Sequence, residues 1–397
     1  MGVLIAMRKV PNVPLSPCPP EYARFLCEGF DSVQEAFRLI PSVEFVELLD
    51  ATQRAARELA DNLEGTVELD LAGERFKAHA TGARGGFRWR LSNDDFLLFI
   101  GSPKREWTIS CRYLSAGLWE HGPATLRERA FAALRPYTMQ KEPDAVRISR
   151  ADWCFDFWSP PLTEQLRPGI SEHVVAHSSV KKSEHMSVIE TVAVGGKAQT
   201  LTIGSKSGLQ VQLYDKSREI DEASGKTWFW PIWVAGLDGE WVWEDKPRDV
   251  WRLECRFSGD FLKERNVRRP HEFEHALPDL IAEALYMRRL TVPNADSNNR
   301  RWPMHPVWSE AYRIRGTKQM LPIGRKVTGL RNVLTEQAIA QLAGAARSAS
   351  VLATGDYDES KVVSLMKAAQ ERIARDPAHA RKVEAARNRY SDVDEAR

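Results

Sequence analysis

The spacing of apolar residues changes along the chain, and each change predicts a different type of element. Up to Gly65, SVQEAFRLI and FVELLDATQRAARELADNL carry apolar residues three and four positions apart, which predicts helices separated at Pro41. From Val67, apolar and polar residues alternate through TVELDLAGERFKAHATG, FRWRLSNDDFLLFIGS and REWTISCRYL, which predicts antiparallel strands. We therefore expect an N-terminal helical segment over residues 1–65, followed by a region rich in strands.

The second half of the chain interleaves further strands and helices. ATLRERAFAALRPY predicts a helix, VRISRADWCFDFW a strand, and AQTLTIGSKSGLQVQLYDKSREI more strand structure. WFWPIWVAGLDGEWVWED has five tryptophans around a Gly/Asp turn and is interpreted as a hairpin whose aromatic face packs in the core, with base stacking as the alternative. DVWRLECRFSGDFLKE predicts a strand running into a helix, and PHEFEHALPDLIAEALYMRRL predicts a helix.

This irregular order of elements favours the α+β class. We expect an antiparallel sheet with one catalytic polar face and with helices packed on the other face, spanning residues 66–331. Residues 332–397 are Ala-rich and charged, and they predict a C-terminal helical extension.

Composition narrows the class of protein. The 397 residues are 43% apolar and 28% charged, which is typical of an ordinary globular protein. No apolar run approaches the roughly 20 residues of a membrane-spanning helix, and the N-terminus lacks a signal-peptide cleavage site, so we expect a cytoplasmic protein with no membrane partner. The five cysteines form no CxxC pair, which argues against a disulfide framework.

Charge is distributed unevenly. The net charge is only +2, but ten Lys/Arg residues lie between Tyr286 and Arg331 against only Asp296 and Glu310. A basic segment in a near-neutral protein predicts contact with a polyanion, and a solvated loop is the alternative.

Three predicted strands place polar chemistry on one face, since side chains two positions apart share a face. In the strand Ile148–Phe157, Arg150, Asp152 and Asp156 lie opposite an apolar row. In Trp251–Phe257, the matching polar row is Arg252, Glu254 and Arg256, and Leu209–Lys216 places Tyr214 and Lys216 on its polar row.

If these strands share one sheet, their polar residues converge. Asp152, Asp156 and Glu254 would then supply the oxygen ligands that Mg²⁺ or Mn²⁺ prefers. A tyrosine hydroxyl beside them can attack a phosphodiester, with Lys216 stabilising its phenolate. The alternative is an ordinary solvated sheet face. Tyr113 is a rival nucleophile, although its own strand has no carboxylates.

Several other catalytic motifs are absent from the sequence. There is no P-loop, no GxSxG and no His-x-His pair. His173 and His177 are four residues apart, a spacing that can bind zinc on a helix, but a surface pair is the favoured interpretation.

ISRADWCFDF, TLTIGSKSGLQVQLYDKSREI and VWRLECRFSGDFLKE, in that order, resemble the replication initiation factor (Rep_trans) family of rolling-circle plasmids, phages and integrative elements. GFDSVQEAF and SNNRRWPMHPVW are also similar to its members, so the resemblance covers roughly residues 20–315. It implies a metal-dependent nicking-closing enzyme that cuts one strand at an origin and remains attached to the 5′ phosphate through a tyrosine.

The resemblance also implies roles for particular residues. Tyr214 would be the nucleophile, with Lys216 and Arg252 at the phosphate. Asp152, Asp156 and Glu254 would hold Mg²⁺ or Mn²⁺. Further DNA contacts are expected from the arginines of the polar rows and of the basic segment, namely Arg150, Arg256, Arg300 and Arg301.

The expected partners are single-stranded or supercoiled origin DNA, with host helicase, polymerase and a second copy of the chain left open. Three alternatives also stay open: a conjugative relaxase of an integrative element, a non-catalytic DNA-binding relative, and a metal-dependent phosphodiesterase that uses water. A covalent protein–DNA adduct separates the last from the tyrosine enzymes.

Overall fold

A computed structural model describes residues 13–59, 65–140, 145–166, 170–176, 189–194, 197–237, 247–316, 330–377, 379–380 and 383. The strands, in chain order, are β1 Arg24–Phe37, β2 Leu39–Pro41, β3 Thr66–Leu71, β4 Glu74–His79, β5 Phe87–Ser92, β6 Phe96–Gly101, β7 Ile109–Leu114, β8 Thr138–Gln140, β9 Val146–Trp158, β10 Val174–Ala176, β11 Ile189–Val194, β12 Lys197–Gly204, β13 Leu209–Asp215, β14 Val250–Ser258 and β15 Arg288–Leu290. The α-helices are α1 Val43–Glu58, α2 Ser115–Leu134, α3 Pro160–Gln165, α4 Lys216–Glu219, α5 Phe229–Gly236, α6 Gly259–Glu264, α7 Pro270–Met287, α8 Pro306–Gly316, α9 Leu330–Thr354 and α10 Glu359–Ala374.

Eleven of these strands form one antiparallel sheet in the order β11-β12-β13-β14-β9-β1-β7-β6-β5-β4-β3. The two central strands, β1 and β9, are antiparallel neighbours, and each begins one half of the sheet. In the first half β1 pairs with β7, the last strand of that half, and in the second half β9 pairs with β14 in the same way. The α+β class and the antiparallel sheet are therefore confirmed.

Helices cover the apolar face of the sheet. Trp89 in β5 donates from Nε1 to Asp50 of α1 at 2.9 Å, and the Phe257 ring of β14 lies 6.3 Å from Phe273 of α7. The opposite face is polar. One end of that polar face is also covered, because Trp233 of α5 donates from Nε1 to Asp156 at 2.9 Å. Helices therefore pack on the predicted face, and α5 additionally covers one end of the polar face.

The helix predicted for SVQEAFRLI is wrong, because these residues lie in β1 and β2. Val33, Glu35 and Phe37 alternate onto the apolar face, where Glu35 is completely buried. Tyr113 donates its hydroxyl to Glu35 at 2.6 Å, and Arg127 donates to both carboxylate oxygens. A charged residue in the core interrupts the apolar alternation that identifies a strand. The remaining apolar residues are spaced three and four apart, so the pattern predicts a helix instead. The N-terminal segment therefore supplies a central strand of the sheet rather than helices alone.

The tryptophan-rich hairpin is also wrong in its described part. Residues 229–236 form α5, and residues 238–246 lie outside the described residues. Phe229 and Trp233 are four positions apart on one helical face, and both are fully buried with ring centroids 5.9 Å apart. Their burial agrees with the core-packing interpretation.

The chain divides into two compact units, residues 10–321 and a second unit of residues 1–9 with 322–397. In the described part of the second unit, α9 and α10 form a helical hairpin, and Ser350 and Asp358 hydrogen-bond to each other across its turn. Residues 332–354 and 359–374 are thus helical, and most of residues 375–397 lie outside the described residues. No helix in the described parts of the chain is long and apolar enough to span a bilayer.

Candidate nicking site

The register of β9, β14 and β13 brings the predicted residues onto one face. Asp152 pairs with Arg256, and Asp156 pairs with Arg252. Arg252 also lies opposite Tyr214 on the next strand. Because residues directly opposite each other in a sheet share a face, the three carboxylates and the tyrosine lie on the same side, as the alternation predicts.

Tyr214 and Glu254 form the centre of the site. The Tyr214 hydroxyl donates to Glu254 Oε2 at 3.2 Å. Arg256 binds the same carboxylate, with its Nε 2.7 Å from Oε1. Burial, and next the negative charge of Glu254, raise the pKa of Tyr214 well above the usual value near 10. The phenol is therefore protonated at neutral pH, and it donates its hydrogen bond to the Glu254 carboxylate.

Asp152 lies beside this pair. Arg150 donates from Nε to both Asp152 oxygens at 2.9 and 3.0 Å. Burial, and next the charge of Glu254, nevertheless raise the pKa of Asp152 to about 6. The Glu254 carboxylate therefore lies close enough to disfavour the charged form of Asp152. Arg150 and Arg256 remain partly exposed at 29% and 22%.

Asp156 occupies a different environment. Arg252 binds both of its oxygens, with Nε–Oδ1 at 2.7 Å and Nη2–Oδ2 at 2.8 Å, and Trp233 occupies Oδ2 as well. Arg252 and Asp156 are each completely buried. Asp31, which the sequence pattern does not single out, completes this cluster by accepting from Arg252 Nη1 at 2.6 Å. It lies at a β-bulge in β1, where no periodic signal was available.

These contacts correct two predicted roles. Asp156 does not fit a metal site, because its oxygens are already occupied by buried donors. Arg252 does not fit a DNA contact, because its side chain is fully buried. Among the described residues, no group of three or more His, Cys, Asp or Glu side chains is arranged to hold a metal ion. Asp152 and Glu254 are also bound by arginines, but those arginines are partly exposed, so these two carboxylates are the predicted ligands that remain candidates for Mg²⁺ or Mn²⁺.

Lys216 also differs from its expected position at the hydroxyl. It begins α4, and its ammonium lies over the Tyr214 ring, 5.8 Å from the centroid. The ammonium forms an ion pair with Glu219 at 2.5 Å. Burial, and next the charge of Arg252, lower the pKa of Lys216. Lys216 thus packs against the ring of the tyrosine, and Glu254 rather than Lys216 contacts its oxygen.

The remaining predicted arginines lie on a short 3₁₀ turn, Asn299–Arg301. Arg300 and Arg301 are both exposed, and Arg301 forms an ion pair of 3.3 Å with Asp296. Other cations of the basic segment, Tyr286–Arg331, contact the protein itself. Arg289 is buried, and Arg315 forms an ion pair with Glu28. Lys318 lies outside the described residues, as does His177 of the predicted histidine pair.

No family model matches the chain, and no curated protein matches it. Among solved structures, the chain is similar to a rolling-circle replication initiator protein from Geobacillus stearothermophilus. The sequence identity is 16%, the match covers 76% of this chain and 99% of the other, and the TM-score is 0.37. A TM-score of this size does not establish a common fold, so the function of the site depends on its own geometry.

Replacing either buried aspartate of β9 with Asn is expected to change the stability of the protein, but in opposite directions for Asp156 and Asp152. Asp156→Asn leaves the buried Arg252 without its carboxylate partner, so we expect a loss of about 3–5 kcal/mol in the free energy of unfolding. Asp152→Asn removes a carboxylate that burial and Glu254 disfavour, so the free energy of unfolding at pH 7 should be unchanged or higher. Urea denaturation followed by tryptophan fluorescence measures both.

The pH dependence gives this comparison a second measurement. Because the pKa of Asp152 is raised in the folded state, the folded protein binds the extra proton between about pH 4 and 6. The parent protein therefore loses stability relative to Asp152→Asn as the pH rises through that window, and the difference is complete above about pH 6. Equal losses for the two variants at pH 7 would contradict the separation of Asp156 from the site.

Proposed function

We propose that the protein is a DNA nicking-closing enzyme that initiates rolling-circle replication through Tyr214. The hydrogen bond from the Tyr214 hydroxyl to Glu254 carries the proposal, because it joins a nucleophile to a base on a face lined with arginines. The resemblance of the RADWCFD, YDKSRE and RLECR segments to the Rep_trans family supports the same chemistry.

In the proposed reaction Glu254 removes the phenol proton while the Tyr214 oxygen attacks the scissile phosphorus. A bond forms between phosphorus and the tyrosine oxygen, and the bond from phosphorus to the 3′ oxygen breaks. The 3′ oxygen takes a proton from water and becomes the hydroxyl that a polymerase extends. Attack by a 3′ hydroxyl on the phosphotyrosyl bond reverses these steps and returns the proton to the tyrosine.

The arginines beside the pair have the charge that this reaction requires. Arg256 and Arg150 are each bound to a site carboxylate and remain partly exposed, so a phosphate can approach them. Mg²⁺ or Mn²⁺ would be held by Asp152 and Glu254 and would stabilise negative charge on the phosphate. Asp156, Arg252 and Asp31 support the strands beneath these groups.

The test is the formation of a covalent adduct on supercoiled plasmid that carries the origin of the host element. Purified protein with Mg²⁺ or Mn²⁺ should yield nicked circles, together with protein that stays attached to the DNA 5′ end in denaturing gels. Nicked circles without the adduct would instead assign a hydrolytic phosphodiesterase that uses water.

Arg300 and Arg301 are expected to contribute to DNA affinity by neutralising phosphates. Replacing both with Ala should flatten the slope of log affinity against log salt by roughly 1 to 2 units. Fluorescence anisotropy on origin DNA at several salt concentrations measures the slope. An unchanged slope would assign this turn to solvent.

A further inference from the structure

The polar face continues past the nicking site into the first half of the sheet. Register pairs connect one transverse row of side chains across seven adjacent strands, from β4 to β14: Lys77, Ser92, Leu97, Arg112, Gln34, Arg150 and Ser258. A second row beside it contains Arg90, Phe99, Ser110, Ala36 and Arg147. Six strand spacings make the first row about 29 Å long.

Both rows contain cations and no carboxylate. Acids lie at the two ends of the first row: Glu68 is opposite Lys77 on the edge strand β3, and Asp152 accepts from Arg150. Burial, and next the charges of Arg90 and Lys77, lower the pKa of His79, while burial and then Arg150 lower that of Arg112. The strand register agrees, because Arg112 and Arg150 both lie opposite Gln34 of β1, and Arg90 is two residues from Ser92, the partner of Lys77.

The guanidinium groups in the centre of this face are incompletely bonded. Within the described part of the chain, the Nε atoms of Arg90 and Arg112 are buried without a hydrogen-bond partner. Arg112 makes one long bond of 3.4 Å from Nη2 to Gln34. Like charges held together with few acceptors are unfavourable for the free protein and favourable for binding an anion.

Aromatic surface lies among these cations. Phe99 faces the same side as Arg90, its cross-strand partner, and is partly exposed, while Leu98 and Ile100 on either side of it are buried. A sheet face that combines exposed aromatic rings with cations suits unstacked bases and their phosphates.

We infer that Lys77, Arg90, Phe99, Arg112 and Arg150 form a platform that binds single-stranded DNA flanking the nick. Bases stack on Phe99, and phosphates contact the cations. Arg150 ends the platform at Asp152, so the strand is delivered to Tyr214. This inference rests on the proposed function, because only a nicking enzyme must hold a single strand beside its tyrosine.

The experiment measures binding without cleavage. Anisotropy of a labelled single-stranded origin oligonucleotide is recorded with Tyr214→Phe protein in EDTA. Adding Arg90→Ala and Arg112→Ala should lower the slope of log affinity against log salt by about 1.4. Each phosphate contact on a single strand contributes about 0.7 to this slope. Adding Phe99→Ala instead should weaken binding at least about fivefold at every salt concentration.

The matched control removes the same charge elsewhere. Arg54 of α1 and Lys263 of α6 are exposed, on helices that pack against the other side of the sheet, so Arg54→Ala with Lys263→Ala should leave the slope nearly unchanged. Arg90→Lys with Arg112→Lys retains charge and should retain most of the slope. Equal slopes for the platform and control variants would overturn the platform, as would an equal loss of affinity for the matching duplex.

Failure of the proposed function gives a different pattern. If wild-type protein forms no adduct but the platform variants still lose single-strand binding, the result supports the platform and contradicts the nicking activity. If the adduct forms and the platform variants bind as the parent does, the result supports nicking and contradicts the platform.

Discussion

Replacing Tyr214 with Phe should eliminate the covalent 5′-phosphotyrosyl adduct completely. The substitution removes one oxygen, which is the attacking atom in the proposed reaction, and it leaves the ring packed beneath Lys216. The measurement is adduct formation on single-stranded or supercoiled origin DNA with Mg²⁺ or Mn²⁺. The affinity for DNA should be retained, because phosphate contacts elsewhere determine it.

Tyr113→Phe provides the matched control. Tyr113 also donates to a carboxylate, but it is fully buried on the apolar face. Its variant should form the adduct normally and should lose about 1–3 kcal/mol of stability, because Glu35 loses a buried donor. Adduct formation by Tyr214→Phe, together with its loss in Tyr113→Phe, would show that the catalytic strand is misassigned.

Glu254→Gln should lower the nicking rate by about 10²- to 10⁴-fold, which is the usual contribution of a positioned general base. The amide retains the shape of the side chain and an oxygen that can accept from Tyr214, but it cannot take the proton. Single-turnover nicking with saturating protein separates this effect from DNA binding, which should change little.

A substrate with sulfur in place of the 3′ bridging oxygen distinguishes two roles for Glu254. Thiolate leaves without needing a proton, so a residue that protonates the leaving group becomes dispensable on this substrate. A base that acts on Tyr214 remains necessary, and the defect of Glu254→Gln should persist. Restoration of the rate would move Glu254 to the leaving group and contradict its assignment as the base for the tyrosine.

The convergence of Asp152, Glu254 and Tyr214 was predictable because each lies in a strand with an uninterrupted alternation. A period of two determines the face of every residue once the strand is recognised. The partners of these side chains were not predictable. Whether Arg252 contacts DNA or Asp156 depends on strand register and on the helix above it, and neither leaves a periodic signal.

The sequence pattern predicts the wrong element in two segments, β1 and α5, for the same physical reason. Glu35 occupies a core position that ordinarily holds an apolar residue, and only the distant Tyr113 and Arg127 make that position tolerable. In α5 the tryptophans are so dense that both helical and strand periods fit them. In each case the tertiary partner, absent from the local pattern, decides the structure.

The pairing of β1 with β9 has a consequence for synthesis of the chain. β1 ends at Phe37, but its partner strand is complete only at Trp158, so the first half of the sheet emerges from the ribosome with an open central edge. Such an edge is a template for pairing with other chains, and sheets dominated by distant pairings fold slowly. We expect co-translational pulse proteolysis to find the first half protected only after residue 158 has emerged, and truncation before it to promote aggregation.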